Sequence, residues 1–291
     1  MKKIKVYIVT YKRSDILNDS LDKLFKSDFS SLDNTEVTII NNHSEFHLDD
    51  HFSGKVKVLH NQTRPDWSNG NLGENWNQAL LHGFVDLNNP DSEYVVTMQN
   101  DTSVHPEWCG NILKMFENYN FIVGKIGDNL VGYTRESVKK IGMWDENFTG
   151  VQYKEADYWI RALIFNKEKS MINDVAHGLT LNNQEALELD VFDDRNIVLE
   201  DSKIRRRADD EEHKEIWKTR GGIYKDFAWR YFCYKWSGTW ISEPSKEGWV
   251  KDWTKEFVDS PPDFAKCNHV GLMRYIWFEK DLCDLNGKRY L

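Results

Sequence analysis

What most constrains this 291-residue chain is the alternation, through its first half, of short β-branched runs with longer stretches of helical period. Ile4-Lys-Val-Tyr-Ile-Val9 reads as a strand, and Ser14 then stands as an N-cap ahead of Ile16, Leu17, Leu21, Leu24 and Phe25 at helical spacing. Val37-Thr-Ile-Ile40 and Val56-Lys-Val-Leu59 predict a second and a third strand. Between Asn71 and Phe84, Leu72, Trp76, Leu80 and Phe84 recur every fourth residue, which predicts a helix. Tyr94-Val-Val-Thr-Met98 predicts a fourth strand. A helix with Trp108, Ile112, Met115, Phe116 and Tyr119 follows Pro106, a residue suited to a first turn. Strands alternating with helices imply an α/β fold with a mostly parallel sheet and helices on both faces. In such sheets ligands sit past the C-terminal strand ends, here Thr10–Arg13, Asn41–Ser44 and Gln99–Asp101.

After about Asn182 the character changes. Glu185 to Glu215 is charge-dense, with Arg205–Arg207 next to Asp209–Glu212, and reads as a solvated helix or linker. From Trp217 on, seven of the 12 Trp cluster with Tyr and Phe, so a separate aromatic core is predicted there. The expected division is therefore an α/β domain over 1–184 and, over 185–291, a charged linker helix and a mainly helical, Trp-rich subdomain. A net charge of −9 gives no footing for nucleic acid or an anionic membrane, although a divalent metal can still bridge a phosphate ligand. Cys109, Cys233, Cys267 and Cys283 form no CxxC pair and read as free thiols of a reducing compartment. The Lys-rich start lacks the long apolar region and cleavage site of a signal peptide. No stretch approaches the ~18 apolar residues of a membrane span. A cytoplasmic protein without an integral membrane segment is expected.

Three places carry candidate chemistry. Asp101, just past the fourth strand, either holds Mg2+ or Mn2+ against a diphosphate or caps the following turn. Glu155 and Asp157 open a helix whose buried face includes Trp159, Leu163 and Ile164. Residues two apart do not share a helix face, so either one carboxylate faces a cleft while the other stabilises the helix start or pairs with Arg161 at i,i+4, or, as is commoner, the acids simply cap the helix. His177 follows a last strand beginning at Met171, as a structural residue or a ligand.

Taken in order, these pieces resemble the GT-A glycosyltransferases, and among them the large inverting family 2, over about residues 4–180. Val6-Tyr-Ile-Val-Thr10-Tyr11-Lys-Arg13 resembles that family's first strand, whose Thr-Tyr-x-Arg end contacts the nucleotide base. Asn41-Asn42-His-Ser44 falls where the family has Asp or Asn followed by Asn-x-Ser. Gly70-Asn71-Leu-Gly73 with Trp76-Asn77 is similar to its Asn-x-Gly helix start and downstream Asn. Gln99-Asn100-Asp101 occupies the Asp-x-Asp position. Gly142-Met-Trp144-Asp145-Glu146-Asn-Phe148 resembles the acceptor-side Gly-x-Phe-Asp-Glu-x-Phe. Glu155-Ala-Asp157-Tyr-Trp-Ile-Arg161 is similar to Glu-Asp-x-Asp-x-x-x-Arg, and His177 falls at the late metal-binding His. Tyr234-Lys235-Trp236-Ser-Gly238 resembles a Lys-Trp-Gly-Gly segment of some viral and bacterial members.

The resemblance implies a GT-A Rossmann-like fold and a metal-assisted, hexosyltransferase-type reaction. A sugar would pass with inversion from a nucleotide-sugar donor to a glycan or other hydroxyl acceptor. It implies Asp101 and His177 as ligands of Mn2+ or Mg2+, and Glu155 as catalytic base. It assigns nucleotide binding to Thr10, Tyr11, Arg13, Asn41, Asn42, Asn71, Gly73, Asn77, Gln99 and Asn100. Sugar or acceptor binding falls to Trp144, Asp145, Glu146 and Asp157. There are departures: Gln99 replaces the first metal-site acid, and Asn41 or Asn42 the usual acid of the second strand end. Glu155 stands on the family's catalytic Asp, with Lys154 on its Glu. The alternative is a non-catalytic carbohydrate-binding relative with a degenerate metal site. A nucleotidyltransferase ranks last, because Thr10-Tyr-Lys-Arg-Ser-Asp15 lacks the Gly-rich loop that would cradle a triphosphate.

Overall fold

A computed structural model describes residues 2–61, 72–124, 127–148, 153–174, 179–181, 215, 218 and 222–237. They belong to two compact units. One comprises Met1–Asp66, Gln78–Arg135 and Met171–Asp209; the other comprises Trp67–Asn77, Glu136–Ser170 and Asp210–Leu291.

The first unit is built on an eight-stranded sheet. Its strands are β1 (Lys2–Thr10), β2 (Thr35–Asn41), β3 (Lys57–His60), β4 (Ser92–Gln99), β5 (Phe121–Val123), β6 (Leu130–Thr134), β7 (Ser170–Asp174) and β8 (Leu179–Leu181), in the order β3-β2-β1-β4-β6-β5-β7-β8. Strands β1 to β4 pair in parallel, as their alternation with helices predicts. Strand β6 runs antiparallel to both β4 and β5, and β7 pairs antiparallel with β8.

Strand parity decides what covers each face. Ile4, Val6 and Ile8 of β1, with Val96 and Met98 of β4, share one core with Leu17, Leu21 and Leu24 of α1 (Ser14–Lys26) and with Trp108, Ile112 and Met115 of α3 (Trp108–Phe116). Tyr7 and Val95, of the opposite parity, meet the C-terminal half of α2 (Leu72–Phe84), so closely that a Cβ at Gly83 would overlap Val95. Helices therefore cover both faces, and each fully buried Leu contributes roughly 1.5–3 kcal/mol. The start of α3 is capped from a distant turn: the Asp28 carboxylate accepts hydrogen bonds from the backbone N–H of Cys109 (3.0 Å) and Gly110 (2.6 Å).

Sequence periodicity does not predict β5, β6, β8 or α4 (Arg135–Ile141). The centre of β6 is Gly132, a weak strand former, placed where the Phe116 ring leaves no room for a Cβ. Helix α4 has only seven residues, too few to display a period.

The second unit gathers most of α4 with α5 (Tyr153–Asn166) and α6 (Gly222–Ser237). Phe148 with Tyr153, Ala156 and Ile160 of α5 packs against Ala228, Trp229, Phe232, Cys233 and Trp236 of α6. Helix α6, from beyond residue 184, shares one core with α5, from before it. Trp229 and Trp236 are core residues, as most of the late aromatics are expected to be. Cys109 and Cys233 are buried thiols outside any disulfide, and burial pushes both up to about 12. Cys267, Cys283 and Arg205–Arg207 lie outside the described residues. Among the described residues no helix is long and apolar enough to cross a membrane.

Candidate active site

In the first unit the chain winds outward from β1 in both directions, through β2 on one side and β4 on the other. The C-terminal ends of β1 and β4 thus flank the switch point at which α/β sheets bind ligands. Val9 is the register partner of Gln99 there. The Asn100 backbone N–H donates to Val9 O (3.0 Å) and its side-chain amide to Thr10 Oγ1 (3.1 Å), which ties the two strand ends together. The turn that follows is closed by Thr102 N–H donating to Gln99 O (3.1 Å) and carries Asp101, which is 6% exposed. Ser20 of α1 donates to Asn100 O (2.7 Å), and Thr102 Oγ1 to Asn129 O (2.8 Å), so the turn is anchored from both sides. The Gln99 amide donates to the buried carboxylate of Asp128, a residue the sequence reading does not single out. Its one signal, a position just ahead of β6, is lost because β6 itself is not predicted.

Past Thr10 the backbone turns sharply. Lys12 and Arg13 have φ of 53° and 40°, two successive non-glycine residues in a left-handed region that costs energy and is concentrated at functional sites. Arg13 makes a two-pronged pair with Asp15 (3.0 and 2.8 Å), whose carboxyl is held below its ordinary value chiefly by that hydrogen bond. The Tyr11 ring lies edge-on to His43 (4.9 Å between centroids).

Asn41, expected on the nucleotide, is hydrogen-bonded within the protein. Its amide nitrogen bonds His43 O (2.7 Å) and His60 Nδ1 (3.0 Å), while Oδ1 accepts from His43 N–H (3.1 Å), closing an Asx turn. Both ends of this buried amide are thus engaged, and Asn41 shapes the loop. Asn42 accepts from the amide of Asn61 (2.8 Å), just past the end of β3.

In the second unit, α5 is buried almost all round, charged residues included. The Lys154 ammonium and Glu155 Oε1 lie 2.5 Å apart, their side chains 1% and 6% exposed. Asp157 accepts from Arg161 Nε (3.0 Å) and Trp236 Nε1 (3.0 Å), and pairs with Lys235 (2.7 Å). Asp145 accepts from Lys235 Nζ (2.8 Å) and the Tyr231 hydroxyl (2.9 Å) on one oxygen, and from the Asn147 backbone (3.0 Å) and amide (2.8 Å) on the other. Two carboxylates, one ammonium and one guanidinium thus form a closed, charge-balanced cluster. Burial pushes the Asp145 carboxyl upward, but the Lys235 charge and the hydrogen bonds from Lys235, the Asn147 backbone and Tyr231 outweigh it and hold the group well below the usual carboxylate range. Burial, then the Asp145 charge, pushes the Tyr231 hydroxyl up.

Four of the residues expected to contact a ligand have partners within the protein. Asp145 and Asp157, expected on a sugar, are engaged by α6 and Arg161. Trp144, expected to stack on a sugar, has zero exposure: its ring stacks on Tyr158 (4.3 Å) and meets Trp159 edge-on (5.5 Å). Asn77, expected on the nucleotide, donates to Trp144 O (2.9 Å) and Glu146 Oε1 (2.9 Å) and accepts from Trp144 N–H (2.8 Å), fixing the motif's backbone. Glu146 remains half-buried. Gly73 borders the same segment, where a Cβ would stand 3.5 Å from Asp145 O. Asn71 and His177 lie outside the described residues.

Among the described residues no three His, Cys, Asp or Glu side chains are grouped to hold a metal ion. The strand-end donors are nevertheless of the right kind. Asp101, Asp128, Gln99 and Asn129 offer only oxygen, and neither side-chain amide atom of the fully buried Asn129 has a hydrogen-bond partner. An all-oxygen set with an unsatisfied amide fits a hard divalent cation.

The family model described as Glycosyl transferase family 2 matches residues 5–187. A search of curated proteins gives no match. Among solved structures the chain is similar to S. aureus TarS, at 15% identity and a TM-score of 0.41, over 55% of this chain and 34% of that one. It is similar to S. aureus TarS 1-349 in complex with UDP, at 15% identity and a TM-score of 0.42, over 55% of each chain. A mannosyltransferase, PcManGT from Pyrobaculum calidifontis in complex with GDP-Man and Mn2+, is similar at 11% identity and a TM-score of 0.41, over 88% of this chain and 85% of that one. The match spans about a third of the TarS chain and about half of its shorter form.

Proposed function

We propose, from the premise that this chain belongs to glycosyl transferase family 2, that it moves a sugar from a nucleotide-sugar donor to a hydroxyl acceptor, a glycan or glycoconjugate. The observation that carries the reading is the joining of Thr10, Gln99, Asn100 and Asp101 at the switch point of parallel β1 and β4, inside the matched residues. Backbone and short polar side chains held there by rigid strands suit a nucleotide diphosphate. Tyr11 and Arg13 follow directly and are the proposed contacts to the base.

Asp101 and His177 are the proposed ligands of Mn2+ or Mg2+, which when bound would neutralise charge on the departing diphosphate. Glu155 is the proposed general base. It takes the proton of the acceptor hydroxyl as that oxygen attacks the anomeric carbon. The bond to the nucleotide breaks on the opposite face, its electrons leave with the diphosphate, and the configuration inverts. Such a base is worth ~10²–10⁴-fold. Lys154 fixes the direction of the Glu155 carboxylate through its ion pair. Glu146 is the proposed partner of sugar or acceptor hydroxyls.

Calorimetry with UDP, GDP, dTDP and CMP and their sugars, each with Mn2+, Mg2+ or chelator, tests the donor half. Binding of one nucleotide series, tightened by metal, is expected; no binding by any of them would overturn the reading. The neutral Gln99 in the acidic position favours one second reading, a carbohydrate-binding relative without turnover. Glycan binding without any nucleotide binding would establish it.

A further inference from the structure

We infer that Asp128 supplies the carboxylate that Gln99 lacks, so that Asp101, Asp128 and Asn129 together form the cation-binding edge of the donor site. This rests on the donor reading above and concerns which residues of this chain serve it.

The charge argument comes first. With Gln99 and Asn100 both neutral, the triplet carries one negative charge, on Asp101. The Gln99 amide donates to Asp128, at the entry to β6. A carboxylate at position 99 would instead meet the Asp128 carboxylate at contact distance, and like charges so close disfavour each other's ionisation. The amide at 99 and the acid at 128 therefore make sense as a pair. The second negative charge has moved from the end of β4 to the start of the strand beside it. Gln99 keeps a carbonyl oxygen, also a hard donor.

The backbone then brings position 128 to Asp101. Met98 and Leu130 are partners in the antiparallel β4–β6 ladder, so the residues that follow one and precede the other lie side by side. Asn129 O accepts from Gln99 N–H (3.0 Å) and from Thr102 Oγ1 (2.8 Å), one bond on either side of Asp101. Asp128 and the Asp101 turn are thus parts of one hydrogen-bonded edge.

Asn129 is the independent sign of a ligand. Its side chain has zero exposure, and neither its oxygen nor its nitrogen is hydrogen-bonded. A buried amide left so is costly, and in a native protein it calls for a bound water, ion or ligand. A divalent cation on Asp101 and Asp128 would take the Asn129 oxygen as a further ligand, and two carboxylates balance its charge.

Asp128→Asn is the decisive variant, because an Asn oxygen still accepts from the Gln99 amide and the edge keeps its shape. Full-length protein is titrated with MnCl2 in the presence of UDP or GDP, with bound Mn2+ read by electron paramagnetic resonance. Asp128→Asn is expected to weaken Mn2+ at least ~10-fold, the lower end of the effect of disturbing a metal site's supporting residues. Thermal melting without metal should stay near wild type. The exchanged pair Gln99→Asp with Asp128→Asn, which returns the charge to the triplet, is expected to restore binding. Wild-type Mn2+ affinity in Asp128→Asn, alongside loss in Asp101→Asn, would overturn the role of Asp128 and leave the metal reading intact. Nucleotide binding with no bound Mn2+ in the wild type would overturn the metal reading itself, and this inference with it.

Discussion

Lys235→Met is the sharpest probe of the buried cluster. In the folded protein the ammonium is 2% exposed and bridges Asp145 (2.8 Å) and Asp157 (2.7 Å). Methionine keeps the length of the stem and removes only the charge and its donors. Asp145 is then left with Tyr231 and Asn147 as donors, and Asp157 with Arg161 and Trp236, so a net negative charge stays buried. Removing one partner of a buried ion pair typically costs about 3–5 kcal/mol. That is a large part of the ~5–15 kcal/mol that holds a domain together. At roughly 2–4 °C per kcal/mol for domains of this size, the melting temperature should fall by about 10 °C. Urea unfolding followed by Trp fluorescence gives the free energy directly. Asp145→Asn in the Lys235→Met background should recover part of the loss, because the stranded charge goes with the acid, and the two single losses should fail to add. A Lys235→Met protein that unfolds at the wild-type urea concentration, or strict additivity of the pair, would refute the idea that this lysine neutralises both carboxylates.

Three further outcomes are expected. Glu155→Gln should lower glycosyl transfer at least ~10²-fold while nucleotide affinity is unchanged, measured by product formation and calorimetry; wild-type turnover would remove Glu155 as the base. The depressed Asp145 carboxyl means that the unfolded chain binds more protons than the folded one in the acid range, so this group's stabilisation is present above its ordinary value of about 3.9 and is lost as pH falls below that. Melting temperature should drop through that range, and less steeply in Asp145→Asn; equal slopes would contradict the assignment. Val85, 61% exposed with φ 64° just past α2, occupies the left-handed position that glycine fills most readily. Val85→Gly should therefore raise stability by about 1 kcal/mol in a denaturant titration, and a lower midpoint would count against that strain.

What the sequence makes legible follows from which forces are local. Leu17, Leu21 and Leu24, the β-branched runs of β1 and β2, and Trp76 with Leu80 carry their periods in the open, and their elements appear where expected. The strand-end rule likewise finds Thr10 and Gln99–Asp101 without any knowledge of what lies beside them. The i,i+4 pairing of Asp157 with Arg161 is legible for the same reason. The acid pattern around Asp145 is not. A carboxylate aimed at a sugar and one aimed at a lysine read alike, and here the lysine lies 90 residues away on α6. Trp144 is ambiguous in the same way, since an aromatic that stacks on a ligand and one that stacks on Tyr158 are the same letter. Asp128 is hidden twice over. Its strand contains Gly132, which masks the β pattern, and its relation to Gln99 exists only across an antiparallel ladder that an alternating α/β reading does not foresee.

The most direct test is release of the free nucleotide (UDP, GDP, dTDP or CMP) from UDP-, GDP-, dTDP- and CMP-sugars, assayed with Mn2+, with Mg2+ and with chelator, for wild type and Glu155→Gln side by side. One donor should be cleaved by the wild-type protein in the presence of metal, and the Glu155→Gln protein should be silent with that donor. Cleavage of no donor by a folded, nucleotide-binding wild-type protein would contradict glycosyl transfer as what this chain does.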